Sequence, residues 1–209
     1  MKLKRGILIV FEGIDGAGKS TQAEILFQKL RAKGFDVVFY REPTDSKWGR
    51  IIKKKALESD SLTPGQELEL FLKDRKENVE KNIVPSLEGK KIVILDRYYY
   101  STIAYQGAKG IEKKMIRELN EEFATEPDLV FILDIEPRKG LERIRNRKKK
   151  DLLFEREEYL CRVRRIFKSL RGERLIHIKG QGKREEIAKR IERIVYNLMN
   201  TISISLEKY

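Results

Sequence analysis

The sequence predicts an α/β fold, a doubly wound five-stranded parallel sheet with helices on both faces. Three observations predict it. Five short runs are apolar on both parities, as expected for strands covered on both sides. Longer helical patterns separate these runs, the alternation that builds parallel sheets. The first run also feeds a glycine-rich turn that opens a helix.

The first strand is expected at 7–12, through Ile7-Leu8-Ile9-Val10-Phe11. Directly after it, Gly13 to Ser20 read GIDGAGKS, the phosphate-loop pattern G-x-x-x-x-G-K-[ST] of P-loop NTPases. Backbone N–H groups along Gly13, Ile14, Asp15, Gly16, Ala17, Gly18, Lys19, Ser20 and Thr21 are expected to cradle the phosphates of ATP. Lys19 can reach the outer phosphates as a point charge, and the Ser20 hydroxyl can hold Mg²⁺. The helix that follows runs to Lys33, with Gly34 as its stop.

A second strand is expected at 36–40. Thr63-Pro64, a cap followed by proline at the first helical position, opens a helix to about Ser86. The third strand, 91–95, leads into Asp96-Arg97. A helix at 111–124, a strand at 129–134, helices at 138–148 and 155–171, a strand at 174–178 and a helix at 183–199 complete the alternation. The tail at 201–206 alternates like a strand, although terminal residues are often unstructured. No linker, repeat or low-complexity block appears, so 1–209 reads as a single domain.

Composition narrows the function classes. The single cysteine, Cys161, excludes an internal disulfide and fits a reducing, cytoplasmic compartment. No apolar stretch approaches the length of a membrane span, and Met1-Lys2-Leu3-Lys4-Arg5 runs straight into a strand, so neither a span nor a signal peptide is expected. The lone His177 lacks partners for a metal role. The net charge of +13 suits either a nucleic-acid surface or a polyphosphate enzyme. Basic residues interleaved with glutamate, as in Arg184-Glu185-Glu186 and Lys189-Arg190-Ile191-Glu192-Arg193, favour an ion-paired, solvated face over nucleic-acid binding.

Several landmarks, in order along nearly the whole chain, resemble the thymidylate kinase family. They are Phe11-Glu12-Gly13 to Gln22, then Arg41-Glu42-Pro43 after the second strand, and Leu70-Phe71-x-x-x-Arg75 on the long helix. Asp96-Arg97-Tyr98, Ser101-x-x-Ala104-Tyr105-Gln106-Gly107 and Pro127-Asp128-Leu129 follow. The resemblance implies a Mg²⁺-dependent kinase that phosphorylates dTMP with ATP. It also implies a homodimer built on the helix around 66–86.

The resemblance assigns Glu42, Pro43, Ser101 and Arg97 to the dTMP site, with Phe71 stacked on thymine, Arg75 donating to O4 and Gln106 meeting the N3 edge. It gives Tyr105 the sugar at C2′ and Asp15 the 3′-hydroxyl, and it gives Asp96 either Mg²⁺, held through water, or the orientation of the acceptor. Phosphoryl transfer itself asks for cations around an in-line acceptor. Arg97, at a strand's carboxyl end, is suited to fork onto the acceptor phosphate. Read from the residues alone, Phe71 and Tyr105 also fit a helical core stripe, and Arg97 a surface ion pair.

A basic run, with Arg143, Arg145, Arg147 and Lys148 to Lys150, falls within a lid segment at about 143–156. Such lids close over the phosphates. Family members carry the catalytic arginine either in the phosphate loop or in the lid. Gly16 follows Asp15 here, so the lid is expected to supply it, with Arg147 preferred over Arg143 and the lysines. Thr44-Asp45-Ser46 stands where the family has Gly-Gly-Thr, which leaves open whether Arg50 or Lys53 reaches the acceptor phosphate. Rival readings are a kinase with another acceptor (dUMP or a nucleoside) and a nucleic-acid-binding P-loop protein.

Overall fold

A strand pattern buried on both parities needs neighbours on both edges and both faces, and β1 (Ile7–Glu12) has them. In the computed structural model, which describes residues 3–56, 62–144 and 151–204, all six of its residues are buried. The other strands are β2 (Val37–Arg41), β3 (Ile92–Asp96), β4 (Leu129–Asp134) and β5 (Leu175–Lys179). All pairings are parallel, in the order β2-β3-β1-β4-β5. The chain leaves β1 toward β2 but leaves the adjacent β3 toward β4. Their carboxyl ends diverge there and open a crevice, the place where such sheets bind ligands. The register sets Asp96 beside both Phe11 and Arg41, so the ends of three strands meet at one point.

Helix α1 (Lys19–Ala32) starts from the phosphate loop, with Gly18 at its N-cap in the left-handed region at φ 93°. It packs on β1, β2 and β3 and against α9 (Arg184–Ile204). Helix α3 (Pro64–Asn78) begins where the sequence predicts, with a capping box between Thr63 and Gln66 and Pro64 in its first turn. It does not continue regularly to Ser86. A π-helical segment, Val79–Ile83, intervenes before α4 (Val84–Glu88), whose first turn holds Pro85. Helices α6 (Lys113–Glu121), α7 (Pro137–Arg143) and α8 (Asp151–Ser169) correspond to the predicted patterns with shifted ends.

Two helices lack a counterpart in the sequence reading. Helix α2 (Lys47–Lys55) is nominated by Ser46, whose hydroxyl accepts from the Trp48 and Gly49 N–H groups. Asp74 holds that cap in turn, accepting from the Ser46 hydroxyl at 2.7 Å and from Thr44 N at 2.9 Å. Helix α5 (Tyr99–Gly107) is buried almost all round and so shows no 3.6-residue polarity. The strand-like tail is a correction: α9 runs through Ile204, and the Ile202/Ile204 alternation is too short to distinguish strand from helix.

Candidate active site

Two cavities meet at the carboxyl ends of β1 and β3. The larger, about 790 Å³, is lined by the phosphate loop from Asp15 to Gln22 and by Asp96 and Arg97. Its far end is formed by Arg143, Ile144, Gly180, Gly182 and Arg184. The smaller, about 360 Å³, is lined by Phe71, Arg75, Ser101, Tyr105 and Gln106. Glu42, Pro43, Lys53 and Arg97 line both.

The loop's shape follows from its glycines. At Gly16 (φ 77°) an added Cβ would sit 2.1 Å from the Gly140 carbonyl of α7, so no side chain fits there. This chain therefore has no room for an arginine at that loop position. At Gly18 an added Cβ would meet nothing within 4 Å, so that side of the loop faces open space. Gly13 and Ile14 shape the turn without lining the larger cavity.

The Ile14 carbonyl instead accepts from Lys19 Nζ at 2.9 Å. Burial, reinforced by the nearby Arg97 cation, pushes the Lys19 ammonium down to about 7. The Ser20 hydroxyl donates to Asp96 Oδ2 at 2.5 Å, and Arg41 Nε donates to the same oxygen at 2.9 Å. Asp96 Oδ1 is buried without a hydrogen-bond partner among the described residues. Ser20 and that orphaned oxygen suit a small, hard cation. The described residues hold no cluster of three or more metal-ligating His, Cys, Asp or Glu side chains, so most of a cation's ligands would come from a nucleotide and water.

Arg97 is the hinge of the site. Its φ of 73° is left-handed, which is uncommon for a residue with a side chain. Along an extended strand Asp96 and Arg97 would point to opposite faces. Here Asp96 reaches Ser20 while Arg97 reaches the other side of the same loop. Its guanidinium donates to the Asp15 carboxylate and, at 3.0 Å, to the Ser101 hydroxyl, and lies 5.2 Å from the Tyr105 ring centre. Burial alone would weaken its charge, but Tyr105, Asp15 and Glu12 more than compensate, so it stays a cation.

Glu12 has no assigned role in the sequence reading, yet it holds this corner together. Its carboxylate accepts from Tyr98 N at 2.8 Å, Ser101 N at 3.1 Å and Ser101 Oγ at 2.5 Å, and so caps α5 from a distant strand. Burial raises it to about 7, against the opposing pull of Ser101 and Arg97. The legible signal is a charged residue closing an otherwise apolar strand run.

The smaller cavity has one aromatic wall and a polar floor. Arg75 is buried and bonded to Glu42 (2.8 Å), Asn120 (2.6 Å) and Thr102 (3.1 Å); Asn78 completes the Glu42 contacts at 3.1 Å. Glu42 thus faces Arg75, and burial raises its carboxyl despite that partner. Tyr105 accepts from the Asp15 N–H at 3.1 Å. Asp15 itself lines the larger cavity only. Gln106 donates to Glu67 at 2.9 Å, while its own carbonyl oxygen is buried and unpartnered among the described residues.

Lys53, and not Arg50, lines the cavities, held at 2.6 Å by Asp45. Of the basic run, Arg143 closes over the loop: its guanidinium donates to Gly16 O at 3.2 Å and Gly180 O at 3.4 Å. Arg145, Arg147 and the lysines at 148–150 lie outside the described residues. Gly180 and Gly182, after β5, are site residues that the sequence reading missed; a Gly-x-Gly at a strand's carboxyl end was the available signal. Pro127-Asp128-Leu129 has a structural place: Asp128 accepts from Leu8 N at 2.9 Å and Arg5 at 2.6 Å, tying β4 to β1.

The family model described as thymidylate kinase matches residues 11–191. A probable thymidylate kinase of Archaeoglobus fulgidus is 42% identical over 194 residues, covering 93% of this chain and 97% of its own. The thymidylate kinase of Akkermansia muciniphila is 45% identical over 190 residues, 91% of each chain. Among solved structures, a thymidylate kinase from Ehrlichia chaffeensis superposes with a TM-score of 0.73 at 31% identity, covering 91% of this chain and 98% of that one.

Proposed function

The chain belongs to the thymidylate kinase family, and from that premise we propose that the two cavities are the donor and acceptor halves of one phosphoryl-transfer site. The reaction is ATP + dTMP to ADP + dTDP. One observation carries the reading: Arg97 lines both cavities, so an acceptor phosphate in its fork faces a donor phosphate in the loop.

In the donor half, loop N–H groups and Lys19 take the phosphates, with Lys19 exchanging the Ile14 carbonyl for a phosphate oxygen. Arg143, Ile144, Gly180 and Gly182 leave a slot for the adenine, where a guanidinium face can stack. Mg²⁺, when bound, neutralises charge on the donor phosphates, and Ser20 and Asp96 would hold it.

In the acceptor half, thymine lies against Phe71 with its edge toward Arg75 and Gln106. Glu42 and Asn120 fix the direction of Arg75. Arg97 exchanges the Asp15 carboxylate for the dTMP phosphate, which frees Asp15 to accept from the 3′-hydroxyl. A dTMP oxygen then forms the new bond to the γ-phosphorus while the bond to the β,γ-bridging oxygen breaks. The lid at 143–156, Arg147 included, supplies the remaining positive charge, and Arg143 is the basic residue of it that lines the larger cavity.

A homodimer on the α3 face belongs to the same reading; sedimentation should give twice the 24.6 kDa chain mass, and a monomer at micromolar concentration ends that part. Cys161 as a free thiol fits the reducing cytoplasm.

Side-by-side turnover with dTMP, dUMP, the ribonucleotide of thymine and thymidine tests the function. We expect dTMP to give the highest kcat/KM, and ADP formation independent of any acceptor would overturn the reading. Tyr105→Ala should narrow the preference for dTMP over its ribonucleotide by about tenfold, since the ring crowds C2′. Unchanged selectivity would return Tyr105 to a packing role.

A further inference from the structure

A hydroxyl has a single hydrogen to give, so a neighbour that can only accept decides where it points and which lone pairs remain. Ser101, on α5, stands between two charged side chains. Its Oγ donates to Glu12 Oε2 at 2.5 Å and accepts from Arg97 Nη1 at 3.0 Å. Glu12 is fully buried, and its other oxygen accepts from the N–H groups of Tyr98 at 2.8 Å and Ser101 at 3.1 Å. An ionised carboxylate offers no hydrogen, so the Ser101 proton goes to Glu12 and a lone pair is left for the guanidinium. Donation to an anion also makes Oγ a stronger acceptor. Arg97 is thus held at Nη1 by Ser101 and at Nη2 by Asp15.

We propose that Glu12 is a positioning residue for the acceptor phosphate: acting through the Ser101 hydroxyl, it fixes the Arg97 guanidinium in the wall that the two cavities share. When the phosphate displaces Asp15 from one nitrogen, the other stays on Ser101, so the fork is aimed before the ligand arrives. Glu12 lines neither cavity and acts only through its neighbours. The inference rests on Arg97 being the ligand of the acceptor phosphate.

The test uses Glu12→Gln. The two N–H donors hold the new amide with its oxygen toward them, which puts nitrogen where Oε2 was. The cap on α5 is kept, but Ser101 Oγ must now accept from that nitrogen, and its proton loses the anion. At pH 8, above the value of about 7 to which burial raises Glu12, the unsubstituted protein carries the carboxylate. There we expect the dissociation constant for dTMP to rise by about tenfold, while those for thymidine and ATP move by less than about threefold. Thymidine shares the base and sugar and lacks only the phosphate. Removing a buried negative charge by itself favours a phosphate, so weaker dTMP binding reports lost aim and not lost charge.

In a Ser101→Ala background the same substitution should change the affinity for dTMP by less than about threefold. Equal losses for dTMP and thymidine would make Glu12 a cap alone and overturn the proposal. An unchanged affinity for dTMP would do so too, as would an undiminished loss in the Ser101→Ala background. If Glu12→Gln does not fold, Glu12→Gln/Ser101→Ala, which has no hydroxyl to misdirect, should fold; failure of both overturns the proposal, because the charge would then serve the fold. An unsubstituted protein that binds dTMP no more tightly than thymidine would instead overturn the acceptor-site reading itself.

Discussion

Replacing Lys19 by alanine is expected to lower kcat by at least about 10³-fold, the order of losing a principal charge on the transferring group in a dry site. The resting geometry makes a sharper statement possible. Lys19 is buried and sits near the Arg97 cation, so in the empty enzyme it loses its proton at about pH 7. A bound polyphosphate supplies the missing anion and restores the charge. ATP binding should therefore take up a proton between about pH 7 and the ordinary lysine range, measurable by calorimetry in buffers of different ionisation heat. Lys19→Met should bind without that uptake; uptake of the same size in the variant would remove Lys19 from the assignment.

The same shift has a stability consequence, and its sign is fixed. The unfolded chain keeps the Lys19 proton up to the ordinary value of 10.5, the folded chain only below about 7. Between those limits the unfolded state binds more protons at this group, so the Lys19 contribution to stability rises with pH, and below about 7 the cost of the buried charge is fully present. Lys19→Met should raise Tm, most clearly at pH 6, while abolishing transfer. Ile14 O keeps a donor in the variant, the Ala17 N–H at 3.2 Å. A lower Tm at pH 6 would contradict the buried-cation account.

Replacing Arg97 by alanine should reduce kcat/KM for dTMP on the order of 10³-fold while the dissociation constant for ATP moves by less than about threefold. The asymmetry is the test, because the proposed partner of Arg97 is the acceptor phosphate and Lys19 serves the donor. Arg97→Lys should recover little, since an ammonium cannot hold Ser101 and the acceptor phosphate together as a fork. A selective loss of ATP affinity would reassign Arg97 to the donor side.

The sheet was legible because its signal is composition: β1 and β4 fall at the expected residues, and the other three strands are displaced by one. The phosphate loop was legible because its spacing has a mechanical reason. Harder to see were elements whose cause lies elsewhere in the chain. Helix α2 depends on Asp74 to organise its cap, and α5 has no polar face to give it a period. In the site, single landmarks such as Arg97 could be nominated from their place at a strand end. Relations between them could not: that Glu12 caps α5, that Glu42 spends itself on Arg75, or that Gly140 closes against Gly16, are facts of packing between distant segments.

The left-handed backbone at Arg97 makes two addresses share one peptide unit. In the proposed site Asp96 serves the donor end and Arg97 the acceptor end, and both hang from the terminus of a buried central strand. Any drift of β3, by heat or by a distant substitution, moves the two grips together. On the proposed reading, the gap between attacking oxygen and phosphorus is thereby gauged by covalent geometry at the end of β3.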